Sequence, residues 1–126
     1  MKLHAQRPAG SNTITAYAAD QVSVNGQPFY SSIIVTAQSL ISPWSVSSIE
    51  ALTEADTQQL VALGCPIVLL GTGLRQRFPA ASLLRPLIAA NIGVEVMDSG
   101  AACRTFNILI AEGRPVAAAI LLDARP

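Results

Sequence analysis

The sequence predicts an α/β domain: a parallel strand-helix-strand-helix-strand core over about residues 67–122, with an antiparallel N-terminal sheet or hairpin packed against it or added to it. Three observations predict this. The apolar pattern changes period near residue 53, from short alternating runs to helical spacing interleaved with brief continuous apolar runs. Charge divides the chain at nearly the same place, since residues 21–49 carry no charged side chain at all. Finally, 126 residues that are 51% hydrophobic and 13% charged can bury one core without disulfides or a structural metal.

The antiparallel part comes first. Residues 13–19, 21–24, 28–30 and 33–37 are rich in Val, Ile, Ser and Thr and read as strands. Asn25-Gly26, between the second and third, is a hairpin signal because both residues accept positive φ. Pro43-Trp44 breaks the pattern. Thr53 can cap a helix with Asp56 three residues on, and Ala55, Leu60 and Leu63 recur near helical spacing until Gly64 stops the run.

Residues 67–70, Ile-Val-Leu-Leu, form a wholly apolar run of the kind a parallel sheet covered on both faces accepts. Gly71-Thr72-Gly73 follows as a loop. Pro79 opens an Ala/Leu-rich helix to Ala90, and Pro86 inside it lacks a backbone donor, so a kink or a delayed regular start is expected. Residues 94–97 read as a strand, 101–111 as a third helix and 116–122 as the last strand. Such alternation with short links implies right-handed crossovers.

Composition removes several function classes. Eight Lys+Arg balance eight Asp+Glu, which argues against coating nucleic acid, whose affinity comes from clustered basic groups. Mean hydropathy is high at +0.44, yet much of it comes from 20 alanines. The longest apolar run, 116–122, falls far short of the roughly 18 residues that span a bilayer. Residues 1–10 have no apolar stretch after Lys2 and do not read as a secretory signal, so a cytoplasmic protein is expected, with Cys65 and Cys103 kept as thiols. One histidine, His4, and two distant cysteines give no zinc-ligand spacing, and no cofactor is implied. The chain reads as a single domain, 1–126, with 1–12 expected to be mobile.

Two segments concentrate the chemistry. Gly71, Thr72 and Gly73 lie where a strand ends before a helix, so their backbone donors can face a ligand, or the glycines can simply permit a tight turn. The dinucleotide fingerprint is incomplete, because Gln76 stands where its third glycine belongs. Arg75, Arg77 and Arg85 fall in the span 57–94, which contains no acid, and can attract an anion or an acidic partner, or form a solvated face. The second segment is 98–107. Asp98 or Ser99 can cap the third helix, and Ala102, Phe106, Leu109 and Ile110 share a buried face beside Cys103 and Asn107. A thiol near a helix start is biased toward thiolate, but Cys103 has no histidine base nearby and reads more simply as a buried hydrophobe. Trp44 can fill core or anchor a partner.

Taken together, Ile67 to Gly73, Gly93 to Asp98 and the run Ala102-Cys103-Arg104-Thr105-Phe106-Asn107 resemble the small α/β family that includes mitochondrial complex I assembly factor 3. The resemblance runs from about Ile14 to Leu122. It implies a three-layer domain: a mixed sheet with helices on one side and an antiparallel β layer on the other. It supplies no catalytic role for any residue, and because residues 1–12 do not read as an Arg-rich, Ser-rich leader, organellar targeting is not expected.

Two functions follow as expectations. The first is a non-catalytic interaction or assembly module binding an unidentified protein, with Trp44 at the contact. The second is a site for a small anion in a crevice between Gly71–Gly73 and 98–107, formed by Gly71, Thr72, Gly73, Arg75, Arg77, Asp98, Cys103, Arg104 and Asn107.

Overall fold

The computed structural model describes residues 10–123. In chain order the elements are β1 (Ile14–Ala18), β2 (Gln21–Val24), β3 (Gln27–Phe29), β4 (Ile33–Thr36), β5 (Leu40–Ile41), a 3-10 turn (Ile49–Ala51), α1 (Glu54–Ala62), β6 (Ile67–Thr72), α2 (Ala81–Ala89), β7 (Gly93–Met97), α3 (Ser99–Ala111) and β8 (Ala117–Leu121). β1, β2 and β3 form an antiparallel sheet. The other five strands form a mixed sheet in the order β5-β4-β8-β6-β7, with β6 parallel to both β7 and β8.

Side-chain alternation on the central strands creates two cores. Ala118 and Ile120 of β8, Leu69 of β6 and Ile33 and Val35 of β4 point to one face, where Ile14, Val22 and Val24 of the antiparallel sheet and Phe106 of α3 cover them. Ala117, Ala119, Leu121, Val68, Leu70 and Ile34 point to the other, beneath Leu60 of α1 and Leu87 of α2. The layers are those expected, with one refinement: α3 shares its face with the antiparallel sheet. Crossover handedness explains it. The chain steps outward from β6 to β7 and then returns past β6 to β8, so two right-handed crossovers put α2 and α3 on opposite faces.

Local signals act as their chemistry dictates. Asn25 and Gly26 take φ of 53° and 84°, closing the β2–β3 hairpin. Thr53 and Asp56 form a complete capping box on α1, Thr53 Oγ1 accepting the Asp56 N–H while the Asp56 carboxylate accepts that of Thr53. Pro86 sits inside α2, whose regular turns begin at Ala81, two residues after Pro79.

Other boundaries differ from expectation. β6 runs to Thr72 because Gly71 pairs with both Met97 and Ile120 and Thr72 pairs with Leu121, so only Gly73 of the Gly-Thr-Gly run turns. α3 begins at Ser99, directly behind the Asp98 cap. β5 is two residues long and leaves no pattern to detect. Of the segment expected to be mobile, residues 1–9, His4 included, lie outside the described residues. Asn12 is tied down, its N–H donating to Ala37 O at 2.9 Å and its side-chain amide to Thr36 O at 2.9 Å.

Candidate functional site

β6 and β7 are neighbours whose following helices lie on opposite faces, the arrangement that opens a ligand crevice at strand carboxyl ends in doubly wound sheets. Here the chain fills it with its own groups. The Gly73 N–H donates to Ser99 Oγ at 2.8 Å, Ser99 Oγ donates to Leu121 O at 2.6 Å, and the Ser99 N–H donates to Gly73 O at 2.8 Å. The buried Thr72 hydroxyl donates to Arg75 O at 2.6 Å and accepts the Arg77 N–H at 2.9 Å. Leu74 N–H donates to Asp123 Oδ2 at 2.8 Å, and Gln76 Nε2 to Val96 O at 2.9 Å. Backbone donors that the sequence offers to a ligand are thereby taken.

Both glycines have packing reasons. A Cβ on Gly71 would lie 2.9 Å from Ser99 Cα, so α3 packs on β6 at a distance only glycine allows. Gly73 has φ of +98°, and a Cβ there would meet Asp123 Oδ1 at 2.5 Å. The Asp123 carboxylate therefore occupies the turn in place of an external anion.

On α3, Asp98 Oδ1 accepts the Ala101 N–H at 2.8 Å, as a cap should. Cys103 is 0% exposed, and burial pushes its thiol up to about 12, Arg104 opposing this and Asp98 adding to it. Desolvation thus works against a thiolate at this position. Asn107 is buried too. Its Oδ1 accepts the Ile14 N–H at 2.9 Å while its Nδ2 donates to Ile14 O at 2.7 Å, so the amide completes the β1 backbone as a neighbouring strand would. Tyr17 packs beside Gly100, its hydroxyl raised to about 12 by burial, with Cys103, Asp123 and Asp98 reinforcing the shift. Arg104 is exposed, its guanidinium next to Gly100.

The expected crevice does not assemble as one open site. Gly71, Thr72, Gly73 and Ser99 meet, but inside the structure, Asp98 is half-buried as the helix cap, and Cys103 and Asn107 point into the core. Trp44 is likewise core rather than anchor, 3% exposed with its indole N–H on Gln59 Oε1 at 3.0 Å. The arginines separate. Arg77 pairs with Glu50 at 2.5 Å, Arg75 and Arg77 border an open depression of about 390 Å³ with Leu74 and Asp123, and Arg85 lies on α2 in a groove with Glu54 and Gln58. The span without acids along the chain is therefore not without acids in space. Among the described residues, no three His, Cys, Asp or Glu side chains come together as a metal site, and no helix is long and apolar enough to cross a membrane.

Sequence reasoning missed Ser99 as the central link, Asp123 as the occupant of the turn, and Leu74 and Phe78, which stand 61% and 71% exposed on the loop between β6 and α2. Asp123 leaves one signal: it is the first acid after the apolar run 116–122, at the carboxyl end of a strand.

Residues 14–121 match the family described as protein of unknown function (DUF498/DUF598). The chain belongs to this family. A protein of Bordetella parapertussis with a crystal structure is 40% identical and superimposes with a TM-score of 0.85, covering 92% of this chain and 100% of that one. A Mth938-like domain of Bordetella pertussis, solved by NMR, is 33% identical with a TM-score of 0.81 over 98% of this chain and 94% of that one. NADH dehydrogenase (ubiquinone) 1 alpha subcomplex assembly factor 3 of Bos taurus is 34% identical over 110 residues, 86% of this chain and 59% of the assembly factor. This chain thus spans about three fifths of the curated relative it matches, and the resemblance seen in the 67–107 motifs extends across the fold.

Proposed function

We propose that this domain is a non-catalytic protein-interaction module serving the assembly of a larger complex. The observation that carries the reading is the loop after β6, where Leu74 and Phe78 are exposed with Arg75 between them. Aromatic and Arg side chains with large apolar neighbours dominate the energetics of protein interfaces. Hydrogen bonds from Leu74, Gln76, Arg77 and Thr72 hold the loop's backbone, so a partner meets a surface that needs little ordering. The name of the Bos taurus relative, an assembly factor, agrees in kind. Cys103 supports the non-catalytic part, being buried and held protonated. A cytoplasmic setting, with both cysteines reduced, belongs to the same proposal.

A small-anion site is the competing reading, and the depression bordered by Arg75 and Arg77 is where it would lie. Asp123 already accepts from Leu74 N–H there, and Glu50 already neutralises Arg77, so an incoming anion meets two carboxylates first. The protein-interaction reading is therefore preferred. Its test is quantitative co-purification from the source organism with the native chain and with Phe78→Asp. At least one reproducible partner should be lost from Phe78→Asp while the melting temperature holds. Identical partner sets, or no reproducible partner, would overturn it.

A further inference from the structure

Building on the interaction-module reading, we infer that the open edge of β7 takes an extended segment of a partner protein as an added strand, with a basic side chain opposite Glu95. Among the described residues β7 ends the five-stranded sheet, with β6 on one side. In a parallel ladder, alternate residues aim both backbone groups at the neighbour and the residues between aim both away. The Gly93 N–H donates to Pro66 O at 2.8 Å, so Gly93, Glu95 and Met97 address β6. Val94 and Val96 then turn their N–H and C=O groups to the open edge. Gln76 caps the Val96 carbonyl, which ends the edge at the loop carrying Leu74 and Phe78 and joins the two surfaces.

The other sheet edges are blocked or short. β5 has two residues, β3 has three with Pro28 in the middle, and Ile14 of β1 is already completed by Asn107. β7 is five residues long and offers both backbone groups of Val94 and the N–H of Val96, spaced as strand addition uses them.

Charge selects the occupant. Glu95 is exposed at the centre of β7 and shares its sheet face with Met97, while Val94 and Val96 pack toward the α1 and α2 side. A second copy pairing antiparallel with full overlap would set Glu95 directly opposite Glu95, which repels. A partner strand with Lys or Arg at that position gains instead.

The test titrates ¹⁵N-labelled protein with two capped pentapeptides, Thr-Val-Lys-Val-Phe and Thr-Val-Glu-Val-Phe. The Lys peptide should shift the amides of 94–97 and the Gln76 side chain, and bind about fivefold more tightly than the Glu peptide. Val94→Pro removes an outward donor without touching the ladder to β6, and should weaken binding about tenfold. Glu95→Lys, a surface change, should reverse the peptide preference. Absent shifts at 94–97, equal binding to both peptides by native protein and Glu95→Lys, or undiminished binding by a folded Val94→Pro would overturn the inference. A dimer seen in sedimentation and abolished by Val94→Pro would assign the edge to a second copy and also overturn it. Co-purification separates the two levels. A native partner lost with Phe78→Asp but retained with Val94→Pro leaves the interaction module standing and removes the strand addition; a partner retained with both removes both.

Discussion

Two neighbouring regions at the carboxyl end of β6 behave in opposite ways. Gly71 to Gly73 is buried, stitched to Ser99 and Asp123, and lets α3 approach the sheet closely. Leu74 to Phe78, immediately after it, is exposed and presents large apolar side chains on a backbone fixed from below. The first region looks like a ligand site in sequence and is structural. The second has no recognisable motif and is the surface we propose a partner meets. Glycine and small polar residues mark close backbone approach, and close approach serves internal packing as readily as it serves a ligand.

The contrast can be broken first where the interior role is largest. Asn107→Ala strands both backbone groups of Ile14 in the core, at about 1–3 kcal/mol each. Thermal unfolding should fall by about 10 °C or more, at roughly 4 °C per kcal/mol for a domain of this size. Gly71→Ala comes next, since its methyl meets Ser99 Cα and α3 must shift. A loss of about 2 kcal/mol in urea denaturation is expected.

A smaller effect is expected with pH. Cys103 and Tyr17 are raised from 9.0 and 10.0 to about 12 in the fold, so the unfolded chain releases these protons first. Their contribution is fully present below pH 9 and is lost as pH rises toward 12, because the native state binds more protons in that window. Urea midpoints should decline over this range, and Cys103→Ala should flatten the decline. Half-buried Cys65 should react with a thiol reagent before Cys103 does. Least affected is Phe78→Asp, whose stability should stay within about 0.5 kcal/mol of the native chain while partner binding is lost.

Much of the fold was legible because its signals are local. Asn25-Gly26 needs only its own φ values, and the Thr53–Asp56 cap spans three residues. The period change near residue 53 reported the switch from antiparallel strands to covered parallel ones. The site was less legible because sheet register brings distant residues together. Asp123 reaches Leu74 across 49 residues, and Glu50 reaches Arg77 from before α1. Charge counted along the chain therefore misjudged charge in space. Cys103 shows the same limit: its place near a helix start is visible in sequence, whereas the antiparallel sheet that buries it is not.

The division between a structural interior and an interacting loop is tested most directly by photocross-linking in the source organism. A photoreactive residue is placed at position 78 and, for comparison, at position 108 on α3, where Ile108 is similarly exposed at 57%. A discrete adduct to one partner is expected from position 78 and none from position 108. Equal labelling from both positions, or no adduct from position 78, would contradict it.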